Sequence, residues 1–321
     1  MDTQPVASTR TDSVGVLHVP TVKPLDEKTI MKTIAFIGLG SMGMPMAKNL
    51  LARGFAVRGF DLRSAAGEAL AAAGGVHAVS VTDACAGADV AVLMVVNAAQ
   101  AEAILFAEGG LAALSENGIV VLMATCPPSA VEAIAARVLD AGRRFVDAPV
   151  SGGVVGAEAA TLTVMAAAPH ETLEAVSSVL AALGDKVVRV GDRPGQGAMV
   201  KTVNQLLCGV HLAVAAEAFS LAAKVGVDLE VMLKILGGSS ASSWMLNDRG
   251  PRMLEAEPRV TSAVDIFVKD LGIVLEAGRD SKAALPFAAL AQQLFLSVSG
   301  RGDGSVDDSQ IIRAYRALNG G

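Results

Sequence analysis

Cysteine, histidine and aromatic residues are scarce in this chain. Its 321 residues include 3 cysteines, 4 histidines, 1 tryptophan and 1 tyrosine. Because Cys85, Cys126 and Cys208 form no C-x-x-C pair, the sequence predicts reduced thiols, as in the cytoplasm, rather than a disulfide framework. The histidines lack the spacing of metal ligands, which argues against a zinc site.

Positive charge in excess and long apolar runs are also missing. The formal net charge is −6, so the chain does not attract phosphate backbones or acidic membranes, and we expect no nucleic-acid partner. A transmembrane helix needs about twenty apolar residues, whereas the best run, residues 206–216, is only about half that long. We therefore expect no membrane partner, and an anionic small molecule would need a local positive centre.

Apolar residues make up 52% of the chain and follow an alternating pattern. From Lys32 onward, short apolar runs alternate with alanine-rich helical stretches, which is typical of an α/β fold with a doubly wound parallel sheet. The predicted strands are residues 33–37, 56–60, 90–94, 119–123, 144–147, 162–166 and 187–190. The predicted helices between them are residues 44–53, 65–73, 100–105 and 129–141.

The pattern changes at both ends of this α/β region. Residues 1–30 contain charges, prolines and Ser/Thr without a sustained period, and we interpret them as a disordered extension, with Met31 as an alternative first residue. Pro194 and Gly195 break the chain, and residues 197–320 show helical periodicity. We therefore expect an α/β domain over residues 31–195 and an all-helical domain over residues 196–321.

A glycine-rich element follows the first predicted strand and opens the first helix. Glycines in a G-x-G-x-x-G pattern permit a tight turn, close approach of a pyrophosphate to the backbone, and close packing of helix on strand. An acidic residue, Asp61, ends the second strand and can accept hydrogen bonds from an adenine ribose, which favours NAD over NADP, although Arg63 could accept a 2′-phosphate. The element comprises Gly38, Leu39, Gly40, Ser41, Met42 and Gly43.

Two further strands end where such sheets bind ligands. The strand over residues 90–94 leads into Val96 and Asn97, and the strand over residues 119–123 leads into Thr125. We expect these residues near the cofactor, with Thr125 beside its nicotinamide half. The alternative for Thr125, an ordinary loop threonine before prolines, stays open.

A serine and two glycines, Ser151-Gly152-Gly153, follow another strand. Glycines leave backbone N–H groups uncovered, and such a turn can hold a carboxylate. The alternative is a flexible turn without a ligand. A nucleophilic serine is disfavoured, because no G-x-S-x-G motif is present.

A single lysine, Lys201, lies in the first turns of a long apolar helix, with Asn204 and Gln205 on the same face. If the helix buries this lysine, desolvation would lower its pKa, and it could exchange a proton with a substrate hydroxyl. The alternative is a lysine whose ammonium reaches solvent along an amphipathic helix. The residues themselves do not decide between the two.

Taken together, the motifs resemble those of the 3-hydroxyisobutyrate dehydrogenase family, the β-hydroxyacid dehydrogenases. The resemblance covers residues 32–318 and rests on the glycine-rich element, the segment D-A-P-V-S-G-G at residues 147–153, the segment from Gly195 to Lys201, and K-D-L at residues 269–271. It implies a Rossmann domain that binds NAD, a helical domain, and an active site between them. It also implies an oligomer, a homodimer or homotetramer assembled through the helical domain.

The resemblance further implies individual roles. Lys201 would be the catalytic acid/base, Ser151, Gly152 and Gly153 would hold the carboxylate of a small anionic hydroxy acid, and Thr125 and Lys269 would contact the cofactor near the nicotinamide. The chain departs from the family at Gln205, where the usual residue is asparagine, and Asn204 with Gln205 would contact the substrate.

The run of residues 204–211, which contains this departure, resembles the branch of the family that oxidises the C2 hydroxyl of L-threonate. The alternatives are a 3-hydroxyisobutyrate or tartronate-semialdehyde type of 3-hydroxyacid dehydrogenase. A non-catalytic NAD-binding protein and an imine reductase, which generally lacks the lysine, are less favoured. 6-Phosphogluconate dehydrogenase is disfavoured because it carries histidine where this chain has Asn204.

Overall fold

The computed structural model describes residues 32–320. The predicted disordered extension, residues 1–30, and the alternative start at Met31 lie outside the described residues. Within them, a nine-stranded sheet precedes a bundle of helices. The predicted fold class, a doubly wound α/β sheet followed by an all-helical region, is confirmed.

Six parallel strands form the main part of the sheet, in the spatial order β3-β2-β1-β4-β5-β6. The chain order reverses at β1, which pairs with both β2 and β4, and ligands bind at such a switch point beside the carboxyl ends of the strands. The strands are β1 (Thr33–Ile37), β2 (Ala56–Phe60), β3 (Val76–His77), β4 (Val90–Leu93), β5 (Ile119–Leu122) and β6 (Arg144–Asp147).

The connections between these strands are helical, as the sequence predicts. The predicted helix over residues 100–105 is divided, because α4 passes at Ala103 into a π-helical turn, Ala103–Ala107. The helices are α1 (Gly43–Ala52), α2 (Ser64–Ala72), α3 (Val81–Cys85), α4 (Ala98–Glu102), α5 (Gly110–Ala113) and α6 (Pro128–Asp140).

The sheet is not parallel throughout, which corrects the prediction for its last strands. After β6 the chain forms β7 (Val150–Ser151), α7 (Gly153–Ala159), β8 (Thr163–Ala167), α8 (His170–Leu183) and β9 (Lys186–Gly191). β8 runs antiparallel to β6 and β7, and β9 runs parallel to β8. For two neighbouring strands to be parallel, the chain must return from the carboxyl edge to the amino edge of the sheet between them. The seven-residue α7 does not bring the chain back to the amino edge before β8 begins.

Two apolar cores cover the two faces of the sheet. Successive strand residues point to opposite faces, so Phe36 packs in one core with Met46 of α1 and Val176 of α8. Its neighbour Ile37 packs in the other core with Ile134 of α6. These layers hold the carboxyl edge of the sheet, and the loops along it, in a fixed position.

The helical region surrounds one long central helix, α9. By length and composition α9 could cross a membrane, but α11 to α14 pack against it, and a core with Phe219, Phe267 and Phe295 takes up the apolar residues on its buried side. The helices are α9 (Gln196–Lys224), α10 (Leu229–Gly237), α11 (Trp244–Leu254), α12 (Val264–Ser281), α13 (Pro286–Val298) and α14 (Ile312–Asn319).

Candidate active site

The glycine-rich loop lies between β1 and α1, and two of its glycines are required by the fold. Gly38 has a φ of 95°, and a Cβ on it would lie 2.4 Å from the carbonyl oxygen of Met94. A Cβ on Gly43 would lie 1.8 Å from the carbonyl oxygen of Gly38. A larger residue at either position would therefore force the loop, the neighbouring strand end and α1 apart.

Gly40 is a different case. A Cβ on it would meet no described atom within 4 Å, so packing within the protein does not require glycine there. α1 begins nearby without a side-chain cap. Met44 N donates to the carbonyl oxygen of Gly40 at 3.0 Å and Pro45 has no N–H, so the backbone N–H groups just before Met44 are those left for an anion. Bare backbone facing open space beside a helix N-terminus fits the pyrophosphate of a dinucleotide.

Asp61 follows β2 at the same edge of the sheet and is tied to this loop. Its Oδ2 accepts a hydrogen bond from Leu39 N at 2.8 Å, and its Oδ1 accepts from the N and Nε of Arg63, both at 2.9 Å. Burial alone would raise the pKa of Asp61, but the hydrogen bonds from Arg63 and Leu39 hold it below its usual range. The predicted ribose contact therefore requires Arg63 to share or release this carboxylate.

A cavity of about 450 Å³ lies between the carboxyl edge of the sheet and the helical region. It brings together residues from the glycine-rich loop, the ends of β4 and β5, the turn before α7, and helices α9, α11 and α12. Of the predicted site residues, those that line it are Gly40, Ser41, Met42, Gly43, Val96, Thr125, Ser151, Gly152, Gly153, Lys201, Gln205 and Lys269. Gly38, Leu39 and Asp61 lie beside it, in the loop and at the end of β2.

Two predicted residues, Asn97 and Asn204, do not reach the cavity wall. Asn97 Oδ1 accepts a hydrogen bond from Gln100 N at 2.9 Å and so caps α4, a common role for asparagine at a helix start. Asn204 Nδ2 donates to Gln205 Oε1 at 2.9 Å and to Cys208 Sγ at 3.3 Å. The structure therefore does not place these side chains where the predicted cofactor and substrate contacts require them.

Lys201 is buried in the wall of this cavity, with 7% of its surface exposed. Burial lowers the pKa of its ammonium group; Asp270 and Cys208 oppose this shift, Lys269 adds to it, and the net direction is downward. The solvent-exposed alternative for this lysine is thus excluded by the structure. An amine of lowered pKa inside a cavity is better suited than an exposed lysine to accept and return a proton.

Asp270 lines the cavity but is not among the residues predicted for the site. Its buried carboxylate accepts a hydrogen bond from Gln205 Nε2 at 2.5 Å and lies 2.7 Å from Lys269 Nζ. Lys269 Nζ in turn donates to the carbonyl oxygen of Thr125 at 3.0 Å. This cluster connects α9, α12 and the end of β5. The K-D-L segment was the only signal in the sequence that pointed to Asp270.

The start of α9 is fastened to the sheet by Asp147, which ends β6. Its Oδ2 accepts hydrogen bonds from the backbone N–H groups of Gly195 at 2.9 Å and Ala198 at 3.0 Å. A Cβ on Gly197 would lie 2.6 Å from the carbonyl oxygen of Met165, so α9 begins in close contact with the strands. Burial raises the pKa of Asp147 to about 6, against the lowering effect of these N–H groups.

The turn before α7 forms another part of the cavity wall. Gly152 and Gly153 have φ values of 130° and 62°, which favour glycine. Trp244 and Arg249 of α11 line the wall as well, and Arg249 is held by Asp308 through a 2.7 Å contact from Nε to Oδ1. Neither Trp244 nor Arg249 is among the predicted site residues, because no motif in the sequence includes them.

Two family models match consecutive parts of the chain. Residues 33–191 match the NAD binding domain of 6-phosphogluconate dehydrogenase, and residues 195–315 match the NAD-binding domain of NADP-dependent 3-hydroxyisobutyrate dehydrogenase. Together they cover the sheet and most of the helical region.

Known proteins resemble the chain over nearly its full length. An L-threonate dehydrogenase of Cupriavidus necator is 43% identical, over 89% of this chain and 97% of its own. The crystal structure of a 3-hydroxyisobutyrate dehydrogenase from Salmonella typhimurium is 37% identical, covers 88% of this chain and 99% of its own, and superposes with a TM-score of 0.84. An imine reductase of Streptomyces aurantiacus, 19% identical over 90% of this chain and 99% of its own with a TM-score of 0.62, shares the fold alone. The chain thus belongs to the 3-hydroxyisobutyrate dehydrogenase family and is an NAD-dependent hydroxyacid dehydrogenase.

Proposed function

We propose that this enzyme oxidises L-threonate at its C2 hydroxyl, with Lys201 as the acid/base residue. The observation that carries the proposal is the buried lysine in the cavity wall, whose pKa burial lowers. Gln205, one helical turn further along α9, places a side-chain amide in the cavity wall, where it could form a hydrogen bond with a further hydroxyl group of a polyhydroxy acid. The name of the Cupriavidus necator relative supports the same substrate.

The cofactor would lie across the glycine-rich loop and the carboxyl edge of the sheet. When bound, NAD⁺ supplies the acceptor of a hydride from the substrate carbon. Asp61 would contact the adenine ribose, and Val96, Thr125 and Lys269 would surround the nicotinamide half, where all three line the cavity. The pyrophosphate would be held by the loop residues Gly38, Leu39, Gly40, Ser41, Met42 and Gly43.

The substrate would be oriented by its carboxylate and by its reacting hydroxyl. Backbone N–H groups of Ser151, Gly152 and Gly153 would hold the carboxylate, because the glycine turn leaves them uncovered at the cavity. Lys201 Nζ, neutral at the start, would accept the hydroxyl proton. The ammonium formed there would then stabilise the oxygen of the new carbonyl group.

A substrate panel tests this proposal. We expect purified protein to form NADH from L-threonate and NAD⁺ with a kcat/KM at least about tenfold above that for 3-hydroxyisobutyrate or for the reduced form of tartronate semialdehyde, since a buried polar group left unpaired costs about 1–3 kcal/mol. With L-threonate, we expect NAD⁺ to be preferred over NADP⁺, because the carboxylate of Asp61 repels a 2′-phosphate. The measurement is initial rate of reduced cofactor formation for each pair. Turnover of 3-hydroxyisobutyrate without turnover of L-threonate would contradict the substrate assignment.

We also propose that the enzyme is a homodimer or homotetramer assembled through the helical region. One face of α9 exposes apolar side chains at spacings of four and seven residues, namely Val203, Leu207, Val214 and Leu221, each at least 50% exposed. A second copy of this chain, with the same face, would cover this stripe, as the two-fold interfaces of homo-oligomers do.

Charge placed on this stripe should separate the subunits. For the double variant Val214→Glu and Leu221→Glu we expect a monomer by light scattering after size exclusion, because an unpaired buried carboxylate is costly. The control is Val79→Glu, which alters an 82% exposed residue of the sheet region. A wild-type protein that is already monomeric, or a double variant with unchanged mass, would contradict the proposed interface.

We propose a cytoplasmic enzyme, in keeping with three cysteines that are all unpaired within residues 32–320.

We propose the division into a nucleotide-binding domain, residues 31–195, and a substrate and oligomerisation domain, residues 196–321. In support of that boundary, β9 ends at Gly191, and α9 begins at Gln196 directly after Pro194 and Gly195.

A further inference from the structure

The side-chain amide of Gln205 is held at both of its ends. Its Oε1 accepts a hydrogen bond from Asn204 Nδ2 at 2.9 Å, and its Nε2 donates to Asp270 Oδ2 at 2.5 Å. An ionised carboxylate can only accept hydrogen bonds. Asp270 therefore selects the amide orientation in which the nitrogen of Gln205 faces α12.

The same contacts determine which end of the amide lies toward the cavity. Asp270 lines the cavity, whereas Asn204 is not part of its wall. The nitrogen end of the Gln205 amide thus meets a residue of the cavity wall, and its oxygen end meets a residue outside that wall. Because Nε2 carries two hydrogens and one is given to Asp270, one N–H remains for a ligand.

Asp270 is itself fixed in place. It is 2% exposed, and Lys269 Nζ lies 2.7 Å from its Oδ1 while donating to the Thr125 carbonyl oxygen. The contact with Lys269 lacks hydrogen-bond geometry, since Oδ1 is without a hydrogen-bond partner among the described residues. The carboxylate is thus held in place by its attraction to Lys269 and by the packing around it. Through its hydrogen bond it fixes the position of the Gln205 amide.

From this arrangement we infer that Asp270 is a positioning residue, which fixes Gln205 as an N–H donor to the substrate hydroxyl adjacent to the reacting carbon. The inference rests on the proposed function, in which Lys201 receives the proton of the reacting hydroxyl. Lys201 and Gln205 are neighbours on one face of α9, about 6 Å apart at Cβ, which suits oxygens on two adjacent carbons. The site thereby selects hydroxy acids that carry a hydroxyl group next to the one that is oxidised.

The test compares L-threonate with its 3-deoxy analogue, which lacks only the adjacent hydroxyl. For the wild-type enzyme we expect kcat/KM to favour L-threonate about tenfold or more, the usual effect of one hydrogen bond in a buried site. Gln205→Leu removes the donor and should bring the ratio close to one, mainly through slower turnover of L-threonate. Asp270→Asn should reduce the ratio as well, because asparagine can donate and no longer selects one amide orientation.

A pH profile separates this role from a purely structural one. Asp270 opposes the lowering of the Lys201 pKa, so Asp270→Asn should move the kinetic pKa of kcat/KM downward, whereas Gln205→Leu should leave it in place. The matched control is Asp280→Asn, an exposed aspartate on the same helix, which should change neither quantity. Thermal unfolding of each variant verifies that it is folded.

The possible outcomes are distinct. A wild-type enzyme that oxidises both acids equally, or variants that keep the wild-type preference, would overturn the role of Asp270 and Gln205 and leave the proposed reaction intact. A folded wild-type enzyme that oxidises neither acid would overturn the proposed function, and this inference with it.

Discussion

Replacing Lys201 by methionine is expected to lower kcat for L-threonate at least about a hundredfold, the usual loss when a general base is removed. Methionine has nearly the volume of lysine and suits the buried position, so the fold should persist. The cofactor contacts proposed for the glycine-rich loop do not involve Lys201, and NADH should therefore bind as it does to the wild-type enzyme. Steady-state kinetics and a fluorescence titration with NADH measure the two quantities.

The matched control for this variant lies on the same helix. Lys224 is exposed at the end of α9, where its Nζ donates to the carbonyl oxygen of Asn319, and Lys224→Met should leave kcat within about twofold, as is usual for a surface site. Near-normal turnover by Lys201→Met would contradict the assignment of Lys201. Loss of both turnover and NADH binding would instead indicate a damaged cofactor site.

The second large effect concerns Asp147 and the pH dependence of stability. Burial raises the pKa of this carboxyl from 3.8 to about 6 in the folded protein, so between these pH values the folded state binds more protons than the unfolded state. The stability gained from protonated Asp147 in the folded protein is fully present below pH 3.8 and is lost as the pH rises through about 6. A shift of this size corresponds to about 3 kcal/mol.

Asp147→Asn removes this titration while keeping an oxygen that can accept from the start of α9. We therefore expect the difference in unfolding free energy between wild type and Asp147→Asn to change by about 2 kcal/mol from pH 4 to pH 7, in the direction that disfavours the wild type. Urea unfolding at several pH values provides the measurement. Asp140→Asn, at an exposed position at the end of α6, should show no such change, and a pH-independent difference for Asp147→Asn would contradict the raised pKa.

The strands and helices of the sheet could be predicted because their signal is local. A buried strand such as β4 is a continuous apolar run, and the predicted bounds of α1, α2 and α6 differ from the observed ones by one residue. β3 and β7 are only two residues long, too short for any periodicity. β8 is antiparallel because α7 ends at the edge of the sheet from which β8 must run back. No residue pattern within β8 shows this direction.

The site could be predicted in part for the same reason. The glycine-rich loop and the turn at Gly152 are encoded by backbone conformations that favour glycine, which makes them visible in the sequence. The contact between Gln205 and Asp270 spans 65 positions and the one between Asp147 and Ala198 spans 51, so neither follows from spacing.

Asn97 and Asn204 show the limit of reasoning from position alone. Asn97 follows a strand end and Asn204 follows Lys201 by three residues, and these positions predict that each lies near a ligand. In the structure the Asn97 side chain caps α4, and the Asn204 amide supports Gln205. A side-chain amide near a site can form hydrogen bonds with the protein that are as strong as those with a ligand. The local sequence does not show which of these hydrogen bonds it forms.

The central claim is that the enzyme transfers hydride from a hydroxy acid, with Lys201 taking the proton. The most direct measurement uses L-threonate deuterated at C2, NAD⁺ and the wild-type enzyme in ordinary water, with mass spectrometry of the reduced cofactor. The account predicts one deuterium in each molecule of reduced cofactor. Reduced cofactor without deuterium, or deuterium released into water, would contradict it.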